Sequence, residues 1–238
     1  VSTGFDIARE LASGLDDRHA AWRFIRGFAA NWLTPLTDDD GCTDAELDAA
    51  EARLGVRLPA ALREAYGLFG RRHDLTSSED TFLGPAGLYL ADTGDALIFR
   101  VGCQDVAHWG VLVADLDKAD PPVVMRIMLR DDRDEAWQPW LASLSSTCME
   151  MVLSESLYAE EGLGDDKEQG DDETRRLEQR YTRLALPEYP TPEAGEAAVR
   201  WFTGPDVVLR EDQEGFLWAR ARTVAALRAV RRDLPGYW

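Results

Sequence analysis

Cysteine and histidine are both scarce, with three of each in 238 residues. Cys42, Cys103 and Cys148 lie far apart, and no Cys-x-x-Cys occurs. Cys-x-x-Cys zinc sites and thioredoxin-type chemistry therefore lack their spacing. Unpaired cysteines suit a reducing compartment. His19, His73 and His108 form neither His-x-x-x-His nor His-Glu-x-x-His, so the metalloprotease helix is absent. The loops Gly-x-x-x-x-Gly-Lys and Gly-x-Gly-x-x-Gly are missing, and with them the usual nucleotide cradles. No apolar run approaches the roughly 18 residues that cross a membrane. The opening Val-Ser-Thr-Gly-Phe-Asp has no basic region followed by an apolar one, so no signal peptide is expected. The expected location is the cytoplasm, with no cofactor and no metal.

Positive charge is also in short supply. Lys and Arg number 26 against 44 Asp and Glu, a net charge of −18. Such a field repels nucleic acid and anionic membrane surfaces, and neither is expected as a partner. It attracts a basic protein, and it also serves solubility alone. Apolar residues make up 45% of the chain and include eight tryptophans, enough for a substantial core. The length fits one large domain, or a domain with a helical extension.

Helical spacing opens the chain. Trp22, Ile25, Ala29, Trp32 and Leu33 share one face of a helix expected over 16–33, which Pro35 ends. Residues 38–51 then carry seven acids and no base. Asp38, Asp39, Asp40 and Asp44 are the candidate acidic surface. Thr43-Asp44-Ala45-Glu46 is a capping box, so a helix follows to Leu54 and stops at Gly55. Pro59 suits the start of the next helix, which buries Leu62, Ala65, Tyr66 and Phe69.

Strand patterns come next, at 87–91, 97–101, 107–113 and 123–129. Leu97, Phe99 and Val101 alternate with Ile98 and Arg100; Trp109, Val111 and Val113 alternate with His108, Gly110 and Leu112. The connections are short, which favours antiparallel pairing. A charged turn is expected at 131–135, then a helix over 146–157 with Met149, Val152, Leu153 and Leu157 inward. Residues 160–173 hold eight acids, one lysine and three glycines, the composition of a mobile linker. Beyond it, helices are expected over 173–184 and 191–202, then a hairpin pairing 207–211 with 216–220 and a final helix over 223–233.

Catalytic constellations are hard to find. His108 and Cys103 could imitate a thiol–imidazole pair, but the preferred reading is an ordinary strand histidine and a small buried thiol. His73-Asp74 reads as a surface turn.

Taken in order, the pieces resemble the SUKH superfamily, which includes bacterial immunity proteins and a fungal regulator of cell-wall synthesis. The residues carrying the resemblance are Glu51, Leu54-Gly55, Leu58-Pro59 and Tyr66, then Gln104, Trp109-Gly110 and Asp120-Pro121-Pro122-Val123. They lie within 43–157. Cys103 stands where asparagine is common in the family.

The resemblance implies an α+β fold. Its core is a twisted, largely antiparallel sheet with flanking helices, carrying N-terminal and C-terminal helical and hairpin additions. The expected parts are an N-terminal helical extension (1–35), the core domain (36–158), an acidic linker (159–175) and a C-terminal helix–hairpin–helix extension (176–238). The implied function is a non-enzymatic protein-binding module of the immunity type, which binds and neutralises a toxin of the nuclease or deaminase class. A basic toxin domain is the expected partner. A regulatory or scaffold protein of the same fold is the alternative, and an enzyme using Cys103 and His108 a remote one. The family pattern marks Gln104, Trp109, Gly110, Asp120, Pro121 and Pro122, each of which serves either partner contact or packing.

Overall fold

The computed structural model describes residues 4–128, 136–158, 163–168, 171–190, 198–212 and 215–238. The charged turn expected at 131–135 lies outside them, as do parts of the expected linker and of the helix expected over 191–202. The fold is α+β.

Helices α1 (Ile7–Asp16) and α2 (Arg18–Trp32) meet at Asp17, which caps the second through the backbone N–H groups of His19 and Ala20. The periodicity reading found α2 and missed α1, which starts at its Asp6 cap and turns Ile7, Leu11 and Gly14 inward. Helix α3 (Asp44–Leu54) has the expected capping box, and Gly55 closes it at φ 71°. Helix α4 (Ala60–Phe69) follows Pro59, and α5 (His73–Thr76) is a single turn.

The first sheet comprises β1 (Thr81–Phe82), β2 (Tyr89–Leu90), β3 (Ala96–Val101), β4 (Ala107–Leu112), β5 (Val123–Ile127) and β6 (Gln138–Leu141). Its order is β1-β3-β4-β5-β6, with β2 also on β3, and every pairing is antiparallel. Helix α6 (Leu144–Leu157) follows, and all fourteen of its residues are buried. It touches α1, α2, α4, α5 and β6. The expected inward face was a stripe; the observed helix is the axis of the molecule, so its polar residues need partners inside.

The second sheet corrects two expectations. The acidic stretch read as a linker contains β7 (Gly164–Glu168), paired with β12 from Gly164↔Arg220 to Glu168↔Phe216. Pairing satisfies the backbone groups that face β12, and Lys167, 2% exposed, donates to the Pro235 carbonyl at 2.8 Å. Helix α7 (Asp171–Arg180) leads to β8 (Thr182–Arg183) and β9 (Tyr189–Pro190). Residues 198–202, expected as helix, belong to β10 (Ala198–Gly204). Val199 and Trp201 face one side and Phe202 the other, and pairing with β11 decides the conformation. The hairpin of β11 (Val207–Asp212) and β12 (Phe216–Ala221) is as expected, and α8 (Val224–Asp233) follows its Thr223 cap. The order is β7-β12-β11-β10-β8, with β9 on β10.

Both faces of this sheet are covered. Phe202, Leu209 and Leu217 pack with Leu177 of α7 and Leu227 of α8. Tyr189, Trp201 and Val208 join a larger core that also holds Phe24, Phe28, Leu62, Phe99 and Met149. Residues 4–35 are therefore part of the main core by packing, and the second sheet leans on α6, which also touches β12.

Candidate functional site

The two sheets and α6 enclose a cleft of about 330 Å³. Strands β3 and β4 form one wall, β9, β11 and β12 the other, and α6 supplies the floor. Alternation along β4 sends Trp109 inward, while Arg210 and Asp212, two apart on β11, share the opposite wall.

Arg100 sits at the base, 2% exposed. Strict alternation would place it with Ile98 on the outer face. A register shift between Ile98 and Arg100 opposite β4 leaves Phe99 as the extra residue and turns Arg100 inward. There the guanidinium meets three carboxylates: Asp80 Oδ2 at 2.9 Å, Glu150 Oε2 at 3.1 Å and Glu155 Oε1 at 2.9 Å. Its Cζ lies 4.8 Å from the centre of the Trp109 ring. Glu155 also accepts from the backbone N–H groups of Glu79 and Asp80, at 2.7 and 3.3 Å. Burial raises the Glu155 carboxyl above its ordinary range, and Arg100 only partly offsets that.

Aromatic side chains line the walls. Trp109 and Trp140 pack edge to face at 5.7 Å, and Trp140 and Tyr189 at 5.0 Å. Tyr189 donates to Glu150 Oε1 at 2.7 Å and accepts from Trp201 Nε1 at 2.7 Å. Burial pushes the Tyr189 hydroxyl well above its usual range, which keeps it a donor. On the facing wall Arg210 donates to both Asp212 oxygens, at 2.9 and 3.4 Å. Tyr158, raised to about 12 by burial, packs 5.3 Å from Trp218.

The charges lining the cleft do not balance. Among the described lining residues, Glu79, Asp80, Glu150, Glu155 and Asp212 face two cations, Arg100 and Arg210. Glu150 and Glu155 are buried at the floor, Asp80 and Asp212 are partly covered, and Glu79 is exposed. Among the described residues, no group of three or more His, Cys, Asp or Glu side chains is placed to hold a metal ion.

The residues marked by the family pattern separate into two places. Gln104 and Trp109 line the cleft. Gln104 and Asp105 hold φ of 55° and 62°, a left-handed pair that non-glycine residues adopt at a cost. The backbone N–H of Cys103 donates to Asp80 Oδ1 at 3.0 Å and ties this turn to the Arg100 cluster. Gly110 instead keeps strands close: a Cβ there would stand 2.8 Å from the Leu97 carbonyl oxygen. Asp120 accepts from the N–H and hydroxyl of Ser145, at 2.9 and 2.6 Å, in the first turn of α6. Pro121 is buried and Pro122 half-buried, just before β5.

Cys103 and His108 are not brought together. Cys103 lines the cleft, and the Glu79 carboxylate raises its thiol, with burial adding to the effect. His108 points out through the other face of β4, where Asp105 and Tyr89 bond its two ring nitrogens. The acidic face near α3 is ordered. Asp38 and Asp39 are exposed, and Asp44 pairs with Arg63 at 3.2 Å. Asp40 is committed locally: it accepts from the Thr37 N–H at 2.6 Å and pairs with Arg72 at 3.4 Å.

The sequence signal for the cleft was weak. Arg100, Glu150, Glu155 and Tyr189 carry no motif. A charged residue within an apolar strand pattern, and two glutamates in an apolar helix, were the only hints.

Comparison with models of known families, with curated proteins and with solved structures finds no match to this chain. Among the described residues no helix is long and apolar enough to cross a membrane.

Proposed function

We propose that this chain is a non-enzymatic binding module of the SUKH immunity type, which captures a basic protein toxin of the nuclease or deaminase class and blocks it. The observation that carries the reading is the excess of fixed carboxylates around guanidinium groups that are already neutralised. Arg63 alone meets Asp44, Asp48 and Glu51, and Arg100 meets Asp80, Glu150 and Glu155. With a net charge of −18, this leaves negative potential on ordered elements, where a basic surface docks without ordering a loop. The motif order Glu51 to Val123 supports the same reading, and a cytoplasmic site of action fits the free thiols Cys42, Cys103 and Cys148.

The test is co-expression with the toxin domains encoded beside this gene. Growth should be restored, and toxin and chain should co-elute as one complex on gel filtration. A chain that protects against none of them and forms no complex refutes the proposal.

A further inference from the structure

We propose that the cleft between the two sheets is a binding site for a single guanidinium or ammonium group, presented as a basic side chain of a polypeptide. The inference rests on the reading of a basic protein partner and names where that partner is anchored.

Three observations converge on a cation. The first is the charge imbalance. Among the described residues, five carboxylates line the cleft against two guanidinium groups. Arg210 is matched by Asp212, while Arg100 is shared among Asp80, Glu150 and Glu155, so the surplus is negative. The second is the gradient of exposure. Glu150 and Glu155 are 3% and 1% exposed at the floor, and Glu79 is open to solvent at the rim. An entering cation thus meets an accessible carboxylate first and stays in the field of buried ones. The third is the wall. Trp109, Trp140, Tyr158, Tyr189 and Trp218 surround the space. The ring faces of tryptophan and tyrosine attract cations, and Arg100 over Trp109 already shows that contact at 4.8 Å.

A further detail favours a polypeptide over a bare polyamine. The Nε1–H groups of Trp109 and Trp218, both shielded from solvent, have no hydrogen-bond partner among the described residues. A basic residue within a peptide brings carbonyl acceptors beside its cation. Carbonyls brought beside these rings would offer the indole donors an acceptor, so binding should alter tryptophan fluorescence.

The experiment titrates the full chain with N-acetyl-arginine amide and a short arginine-containing peptide, by tryptophan fluorescence and calorimetry. N-acetyl-citrulline amide has the same shape without the charge, N-acetyl-glutamate amide reverses it, and spermidine is a free cation. The arginine probe and the peptide should bind saturably, with citrulline weaker by about tenfold or more, the loss expected for a charge-assisted hydrogen bond. Glu79→Gln with Asp212→Asn should weaken the arginine probe about fivefold or more while near-ultraviolet circular dichroism stays unchanged. Glu79→Gln alone, on an exposed side chain, gives the same direction if the double variant fails to fold.

Spermidine binding in competition with the arginine probe while the peptide stays out overturns the polypeptide occupant and assigns the site to a free cation. Equal binding of citrulline, preference for the glutamate probe, or no saturation by about 10 mM overturns the inference. So does a folded Glu79→Gln, Asp212→Asn variant of unchanged affinity. If that variant captures a toxin as well as wild type, the cleft is wrong and the immunity reading stands. A chain that binds the arginine probe but captures no toxin gives the reverse.

Discussion

Tyr189 of the second sheet donates its hydroxyl to Glu150 Oε1, in the middle of α6, at 2.7 Å. The same oxygen accepts from Ser154 at 2.6 Å, and the other carboxylate oxygen of Glu150 pairs with Arg100 of the first sheet. One buried glutamate therefore joins both sheets to the central helix. Tyr189 also takes the Trp201 N–H, so the bonds extend into β10. Buried polar groups are costly unless partnered, and this network partners those of α6 that face the second sheet.

Tyr189→Phe removes one donor to a buried carboxylate and the acceptor of the Trp201 indole N–H. The expected cost is about 1–3 kcal/mol, the penalty for leaving buried polar groups unsatisfied. Urea denaturation should show a lower midpoint at an unchanged slope. An unchanged midpoint would show that the network contributes nothing to stability.

Gly110 and Gln104 belong to one family pattern but should act on different properties. Gly110→Ala places a methyl against the Leu97 backbone, and overpacking of that kind costs about 1–3 kcal/mol. Affinity per folded molecule should be unaffected. Gln104→Asn keeps a residue that tolerates the left-handed region but shortens its reach over the cleft. Its stability should stay within about 0.5 kcal/mol of wild type while partner binding weakens. Calorimetric binding beside thermal melts separates the two, and a reversed pattern would reassign both positions.

Glu46 closes the α3 capping box and pairs with Arg71. The Thr43 backbone N–H, then its hydroxyl and Arg71, hold the carboxyl down at about 2. A lowered folded-state value means stability present above the ordinary glutamate range and lost as pH falls towards that lower value. Glu46→Gln retains the cap but not the charge. Its melting temperature should lie below wild type near neutrality, and the gap should narrow steadily below about pH 4.5. A gap that stays constant with pH would show that the charge contributes no stability.

The ordered acids should control association speed. Asp38→Asn with Asp39→Asn should slow association severalfold and leave dissociation nearly unchanged, because long-range attraction acts before contact. Raising salt should have the same effect on wild type, as the screening length falls to roughly 3 Å at 1 M. Asp40→Asn should also lower stability, since Asp40 serves Thr37 and Arg72. Stopped-flow mixing with the captured toxin provides the rates, and a salt-independent rate would remove the electrostatic mechanism.

Deleting 164–168 distinguishes a strand from a tether. A linker would tolerate the loss. Here it strips β7 from β12 and leaves the β12 edge unpaired, so the variant should unfold earlier and self-associate. Light scattering during a thermal ramp reads both effects.

Local chemistry was legible in the sequence. The capping box at Thr43, the left-handed stop at Gly55, the 207–220 hairpin and the last helix depend on neighbours a few residues apart, and side-chain pattern alone specifies them. The inward turn of Trp109 follows from alternation in the same way. Tertiary pairing decided the rest. The acidic 164–168 segment has no apolar side chain to bury and becomes a strand because β12 offers it a ladder. Residues 198–202 have no helical or extended pattern strong enough to resist β11. Arg100 faces the core because the pairing register with β4 slips by one residue, an event set between strands. The cleft unites Glu79 and Asp80 with β3, β4, β6, α6, β9, β11 and β12, its lining residues running from 79 to 218. Its carboxylates have ordinary sequence surroundings, and packing two sheets on one buried helix is what makes them a cluster.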